Sequence, residues 1–185
     1  LDQSRSMGLF NNFQAAKKVT LALMSLIRTQ YPRDSLFIIG FSDYAREIKE
    51  EDLAKSSWNA WVSGTNLHHA LMLARKLLNQ EKGSTRQILL ITDGEPTAHL
   101  EGDRAYFSYP PSFRTEQETL KEVKRCTQED ILINTFMLEN SYQLVNFVDR
   151  LTRINRGRAF YSSSSNLGEY VLVDYVQNRR KKVMA

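Results

Sequence analysis

Short apolar runs alternate with helix-periodic segments along this chain, and no other feature constrains its fold as much. Phe13, Ala16, Val19, Leu23, Leu26 and Ile27 recur at steps of three and four. That spacing predicts a helix from a cap at Asn11 or Asn12 to about Gln30. Leu21 and Met24 widen its apolar stripe, and Tyr31-Pro32-Arg33-Asp34 ends it. Leu36–Phe41 then reads as a buried strand, and Ser42-Asp43 turns into a short edge strand ending near Ile48. Leu67, Ala70, Leu71, Ala74, Leu77 and Leu78 mark a second helix, stopped near Gly83. The run Ile88–Ile91 is apolar throughout, as suits a parallel strand covered on both faces. A polar and aromatic loop is expected from Gly94 to about Arg114. Thr115 is then read as the cap of a third helix carrying Leu120 and Val123. Ile131–Leu138 is a strand; Leu144, Phe147, Val148 and Leu151 mark a fourth helix; Ala159–Tyr161 is a last short strand; and a final helix runs from Gly168 to about Arg180. The alternation argues for one α/β domain over residues 1–185, doubly wound, with a mostly parallel central sheet flanked by helices.

Composition narrows the function classes. With 42% hydrophobic and 25% charged residues the chain is ordinary globular material, which excludes disorder as the default. The single cysteine, Cys126, rules out an intrachain disulfide and reads as a packed apolar residue. Net charge is +4, with Arg150, Arg153, Arg156 and Arg158 clustered before a basic tail, Arg179-Arg180-Lys181-Lys182. That charge reads as a solvated face and a tail. Basic residues interleaved with exposed aromatics, the mark of a nucleic-acid surface, are absent, so no nucleic-acid partner is expected. No apolar stretch reaches the length of a membrane span.

The candidate chemistry is an oxygen-donor set scattered over three segments: Asp2-Gln3-Ser4-Arg5-Ser6, Ser63-Gly64-Thr65 and Ile91-Thr92-Asp93-Gly94. Asp2, Ser4, Ser6, Thr65 and Asp93 supply carboxylates and hydroxyls without a histidine or cysteine, which suits a hard divalent cation. In open α/β sheets, loops at the carboxyl ends of strands converge on ligands. Asp2 and Asp93 each stand where a strand should end, and Thr65 enters the second helix. Alternation along an extended Asp-x-Ser-x-Ser segment would point residues 2, 4 and 6 the same way. Gly64 and Gly94 are read as positions of close backbone approach or sharp turning. Taken singly, Asp2 and Ser4 also suit a cap of the first helix, Thr65 a cap of the second and Asp93-Gly94 a plain turn.

In order and position, these residues resemble the metal-ion-dependent adhesion site (MIDAS) of the von Willebrand factor type A (vWA) family, which has a Rossmann-like fold. The resemblance covers essentially the whole chain. It implies that Ser4 and Ser6 coordinate directly, that Thr65 does so when ligand is bound, and that Asp2 and Asp93 act through water or as outer acceptors. The implied cofactor is Mg²⁺, with Mn²⁺ or Ca²⁺ as alternatives. The implied partner is a protein that presents an Asp or Glu to the ion. In the family a central strand precedes the position of Asp2. Only Leu1 precedes it here, so the resemblance implies a C-terminal fragment of a longer protein with its first central strand largely missing. Thr92–Thr97 and Leu167–Tyr175 resemble uncharacterised bacterial members. Some relatives work beside AAA+ ATPases of the MoxR or chelatase type, which makes such an ATPase an expected partner and the cytoplasm the expected location. An extracellular adhesion domain and a metal-dependent hydrolase are the alternatives.

Around the site, His68, Glu95, His99, Tyr106, Phe107 and Tyr109 are read as a partner-binding rim. The alternative for the aromatics is a cluster folded onto the domain's own surface. His68 and His69 also read as first-turn helix residues, one exposed and one packed, and Trp58 and Trp61 divide in the same way between interface and core. Catalysis is not expected. Gly-x-Ser-x-Gly and Gly-x-x-x-x-Gly-Lys-Ser/Thr are both absent, and no residue pair fixes a base beside Ser4 or Ser6.

Overall fold

A computed structural model describes every residue except Ser63, residues 82–84 and residues 184–185, together with the backbone but not the side chains of residues 178–183. The expected helix stop at Gly83, Ser63 and the side chains of the basic tail lie outside the described residues.

From the amino end, a 3-10 helix, Arg5–Asn11, leads into α1, Asn12–Gln30. The hairpin of β1, Ile39–Phe41, and β2, Ala45–Glu47, follows, and then a short helix α2, Glu50–Leu53. After α3, Leu67–Leu78, come β3, Arg86–Thr92, and a second hairpin of β4, Ala98–Glu101, and β5, Arg104–Phe107. The chain closes with α4, Phe113–Gln128, β6, Ile131–Met137, α5, Tyr142–Asn155, β7, Ala159–Tyr161, and α6, Leu167–Val183. β3, β6 and β7 are parallel neighbours in that order, with Ile88 opposite Ile133 and Thr135 opposite Ala159.

Leu1–Gln3 lies between β1 and β3. Asp2 donates its backbone N–H to Ile91 at 3.1 Å on one side. On the other side Gln3 donates to Phe41 at 2.7 Å and Phe41 to Leu1 at 3.1 Å. Toward the amino ends of the strands, β1 and β3 share no ladder among the described residues. The space between them is an apolar cavity of about 170 Å³, lined among others by Leu23, Ile27, Ile38, Leu71, Ile88 and Leu90.

The period of two along the strands sorts two cores onto opposite faces of the sheet. Leu90, Ile131, Ile133 and Met137 pack with Leu71, Val123, Leu144 and Leu151 from α3, α4 and α5. Ile91 and Phe136 face the other way, against Val19 and Leu23 of α1 and Val171 of α6. Cys126 is buried in the first core, and burial pushes its thiol up to about 12, as befits an inert packed side chain. On the other face Asn134 of β6 donates to Asp174 of α6 at 2.6 Å, and Arg158 pairs with the same carboxylate, which ties the last helix to the sheet.

The structure corrects three local expectations. The loop expected from Gly94 to Arg114 contains the β4–β5 hairpin, in which Ala98 and Leu100 pair with Phe107 and Ala105. Ser112, not Thr115, caps α4, accepting the Thr115 N–H at 3.1 Å. Asn11 stands at the N-cap of α1 in the left-handed region, where its side chain makes no capping bond.

Candidate metal centre

The site is built at the carboxyl ends of β1, Leu1–Gln3 and β3. Asp2 is fully buried. Its Oδ1 accepts the Ser4 N–H at 2.8 Å and its Oδ2 accepts the Thr92 hydroxyl at 2.6 Å. Ser4 Oγ lies 3.1 Å from Ser6 Oγ. Ser6 Oγ donates to Asp93 Oδ1 at 2.7 Å, and Asn12 Nδ2 donates to Asp93 Oδ2 at 3.4 Å. One hydrogen-bonded chain thus joins Asp2, Ser4, Ser6 and Asp93, residues that stand up to 91 positions apart (93 − 2). The Asp-x-Ser-x-Ser segment is not extended throughout. Ser4 is extended, but Arg5 begins the 3-10 helix, so a turn, not strand alternation, brings Ser6 beside Ser4.

Thr65 sits on the adjoining loop and is buried. Its N–H donates to Thr97 Oγ1 at 2.8 Å, and its carbonyl accepts from Thr97 at 3.2 Å. Among the described residues no hydrogen bond links its hydroxyl to the other four side chains. Two further contacts fix this loop. Gly64 donates to Asp43 Oδ1 at 2.8 Å, and a Cβ at Gly64 would stand 2.1 Å from that oxygen, so the close approach demands glycine. Asn66, fully buried, caps α3 by accepting the His69 N–H at 2.9 Å and donates Nδ2 to the Asp43 carbonyl at 2.8 Å. The cap of α3 is therefore Asn66, which leaves Thr65 outside that role. Gly94 has nothing within 4 Å of an added Cβ, so neither close approach nor a left-handed turn explains it.

Electrostatics mark the pair of carboxylates. Burial pushes Asp93 up to about 6 and the Asp2 carboxylate adds to the push, against hydrogen bonds from Ser6 and Asn12. Burial likewise raises Asp2, opposed by the bonds from Thr92 and Ser4. No lysine or arginine pairs with either carboxylate among the described residues, and no three His, Cys, Asp or Glu side chains gather there. The donor set is two repelling carboxylates with serine hydroxyls. Ser6 spends its proton on Asp93, so in the Ser4–Ser6 contact its oxygen accepts from the Ser4 hydroxyl. These residues fit a hard divalent cation, which would relieve the repulsion between Asp2 and Asp93. By the resemblance, Ser4, Ser6 and Thr65 would hold it directly.

A family model described as "Rv0959-like protein, vWA domain" matches residues 1–176. The chain belongs to this vWA family. It is 36% identical to the uncharacterised protein Rv0959 of Mycobacterium tuberculosis over 186 residues, covering 98% of this chain and 28% of that protein. The chain thus spans under a third of the relative's length. Among solved structures, the vWA domain of SpRpn10 superposes with a TM-score of 0.64 at 13% identity, covering 92% of this chain and 89% of that one. The manganese-loaded TRAP protein of Plasmodium vivax gives 0.59 at 16% identity, covering 91% and 68%. At these identities the structural likeness shows the fold alone: a parallel sheet flanked by helices, as the alternation of the sequence predicts.

In this vWA domain the expected rim divides. His99 is fully buried, not on a rim: Nδ1 lies 3.0 Å from Thr115 Oγ1, Nε2 lies 3.3 Å from Glu101 Oε1, and the ring packs on Tyr106. His68 is also buried, with Nδ1 accepting the Leu100 N–H at 3.2 Å. Both histidines knit α3, the β4–β5 hairpin and α4 together. Tyr106, Phe107 and Tyr109 do stand exposed, and Glu95 is half-buried. The hairpin that carries Tyr106 and Phe107 is anchored at its base to Thr65 through Thr97. Trp58 packs against the α1 core, whereas Trp61 is exposed.

Sequence reasoning missed Asn12, Asp43, Asn66, Thr92 and Thr97. Two signals were legible: Asn66 directly precedes a helix-periodic segment, and Thr92 neighbours Asp93. The others act across 20 residues or more and left no local trace.

Proposed function

We propose that this vWA domain is a Mg²⁺-dependent protein-interaction module that takes an Asp or Glu side chain of its partner at the Asp2–Ser4–Ser6–Thr65–Asp93 site. The supporting observation is the joined set of two serine hydroxyls and two buried carboxylates, neither paired with a lysine or arginine among the described residues, where the sheet's loops converge. When bound, the ion supplies positive charge to an incoming carboxylate. The chain's own residues do the rest. Asp2 orients Ser4 through its backbone N–H, Asp93 orients Ser6 through its hydroxyl, and Asp43 with Asn66 holds the Thr65 loop. The predominance of neutral hydroxyl donors leaves the ion electrophilic, which favours a charge-assisted contact with an acidic ligand.

Binding is favoured over catalysis. Neither serine hydroxyl has a histidine or lysine within hydrogen-bond distance among the described residues; Ser6 donates instead to the Asp93 carboxylate, and His68 spends its Nδ1 on Leu100. Calorimetric titration of the full-length protein with MgCl₂, beside a Ser4→Ala/Ser6→Ala variant, tests the reading. Saturable binding lost in the variant is expected; an unchanged titration in the variant places the ion elsewhere and overturns it.

A further inference from the structure

Two adjacent histidines at the start of α3 hold two different hairpins. His68 Nδ1 accepts the Leu100 N–H of β4 at 3.2 Å. His69 Nδ1 accepts the Ala45 N–H of β2 at 3.1 Å. Neighbouring residues on a helix point about 100° apart, so a consecutive pair can reach two separate elements. The hairpins are also joined to each other. Tyr44, in the β1–β2 turn, accepts the Ala105 N–H of β5 on its hydroxyl at 3.1 Å, and its ring stands edge-on to His69 with 6.1 Å between centroids. Residues 65–69 are thus a hub. Thr65 bonds to Thr97 at the base of the second hairpin, Asn66 to Ser42 and Asp43 in the turn of the first, and the two rings to a strand of each.

An imidazole accepts on Nδ1 only while that nitrogen carries no proton. The surroundings keep both rings neutral. Each stands in the first turn of a helix, where the unpaired N–H groups oppose a cation. Burial lowers the pKa of His68, against Glu122 and Glu118 of α4; His99 of β4 and Arg125 of α4 add to the lowering. Glu122 is already engaged by Arg75 at 2.6 Å and Arg125 at 2.7 Å, and Glu101 of β4 by Arg114 at 2.9 Å, so a protonated His68 meets no idle carboxylate there. Burial alone lowers the half-buried His69. The hairpin packed on it carries Asp43, Tyr44, Arg46 and Glu47, and the Asp43 carboxylate is held by the Gly64 N–H at 2.8 Å.

We infer that His68 and His69 form an acid-released clasp: neutral, they dock both hairpins around the Thr65 segment, and protonated, they let go of both as one unit. A proton on Nδ1 turns each acceptor into a donor aimed at another donor, so the bond is lost rather than weakened. The closed clasp binds fewer protons than the open one, so acid drives opening. Pairing makes the response steep. One proton shifts the opening equilibrium by at most about tenfold between pH 7.5 and 5.5, and two by at most about a hundredfold. The clasp goes beyond the Mg²⁺ reading and does not depend on it. Where that reading holds, opening takes from Thr65 the hairpin base that fixes it.

The test is hydrogen–deuterium exchange of the full-length protein in EDTA, corrected for the intrinsic pH dependence of exchange. It reads peptides spanning residues 44–48 and 98–107, with α5 as the control. Opening of both hairpins should rise in step from pH 7.5 to 5.5, by up to about a hundredfold, while α5 stays protected. Asn places a side-chain oxygen near the position of Nδ1 and takes no proton, so His68→Asn/His69→Asn should flatten the profile. Each single Asn variant should halve the logarithmic rise in both hairpins, which keeps the test open if the double variant does not fold. A rise confined to the hairpin whose own histidine remains would reveal two independent clips and reject the shared clasp. An acid-insensitive wild type, or variants that keep the wild-type rise, would reject the inference outright. With no metal present, each of these outcomes leaves the Mg²⁺ titration to decide its own question.

Discussion

Asp2 and Asp93 share one pocket but carry different burdens. Asp2 is fully buried and satisfies two donors, the Ser4 N–H and the Thr92 hydroxyl. Asp2→Ala strands both, so it should destabilise the metal-free protein by about 1–3 kcal/mol, readable in a urea transition. Asp93 is buried too, but its partner Ser6 is exposed and can turn to water if its acceptor is lost. Its charge is also opposed by burial and by Asp2. Asp93→Ala is therefore expected to abolish Mg²⁺-dependent partner binding while changing metal-free stability by less than about 1 kcal/mol. Unfolding of that variant without metal would recast Asp93 as structural. The contrast was not legible in the sequence, where both residues read alike as carboxylates at strand ends.

At the scale of elements, short polar clips decide where loops sit. Asn66 caps α3 and grips the loop after β1, holding Thr65 between them. Asn66→Ala should cost about 1–3 kcal/mol from the lost cap and the unsatisfied Asp43 carbonyl, and should weaken Mg²⁺ binding in the same preparation. An Asn66→Ala protein with wild-type Mg²⁺ affinity would free Thr65 of this dependence. His68 pins β4 to α3 and must keep Nδ1 unprotonated to accept from Leu100. Burial lowers its pKa below 6.5, with the Glu122 carboxylate opposing. The unfolded chain then binds the extra proton first. His68's contribution is present above the unfolded value of about 6.5 and is lost as the pH falls from there through its depressed folded value. Urea midpoints should drop between pH 7.5 and 5.5, and drop less in His68→Gln. The hairpin itself escaped the sequence reading because its partner strands are polar and aromatic rather than cleanly alternating.

For the whole molecule, the ion should act as a staple. It would join the loops that carry Ser4 and Ser6, Thr65, and Asp93, the first and last of which meet through the hydrogen bonds of Ser6 and Asn12 to Asp93. Anything that binds only the folded state stabilises it by mass action. Mg²⁺ at about 100 times its Kd should raise the thermal midpoint by roughly 5–10 °C, reversed by EDTA. A midpoint indifferent to Mg²⁺ while calorimetry still reports binding would place the ion on a site that does not join these loops.

The sequence by itself determined the α/β architecture, because a switch between periods of two and three-to-four dictates which faces can be buried. It also determined the family, through donors kept in order at strand ends, and the inertness of a lone cysteine in an apolar helix face. Only the tertiary structure decided that Ser6 meets Asp93, that His68 and His99 turn inward, and that Phe10 and Trp61 turn outward. Those outcomes depend on contacts between residues far apart in the chain, such as Ser6 with Asp93 and His68 with Leu100, and local propensity carries no record of them.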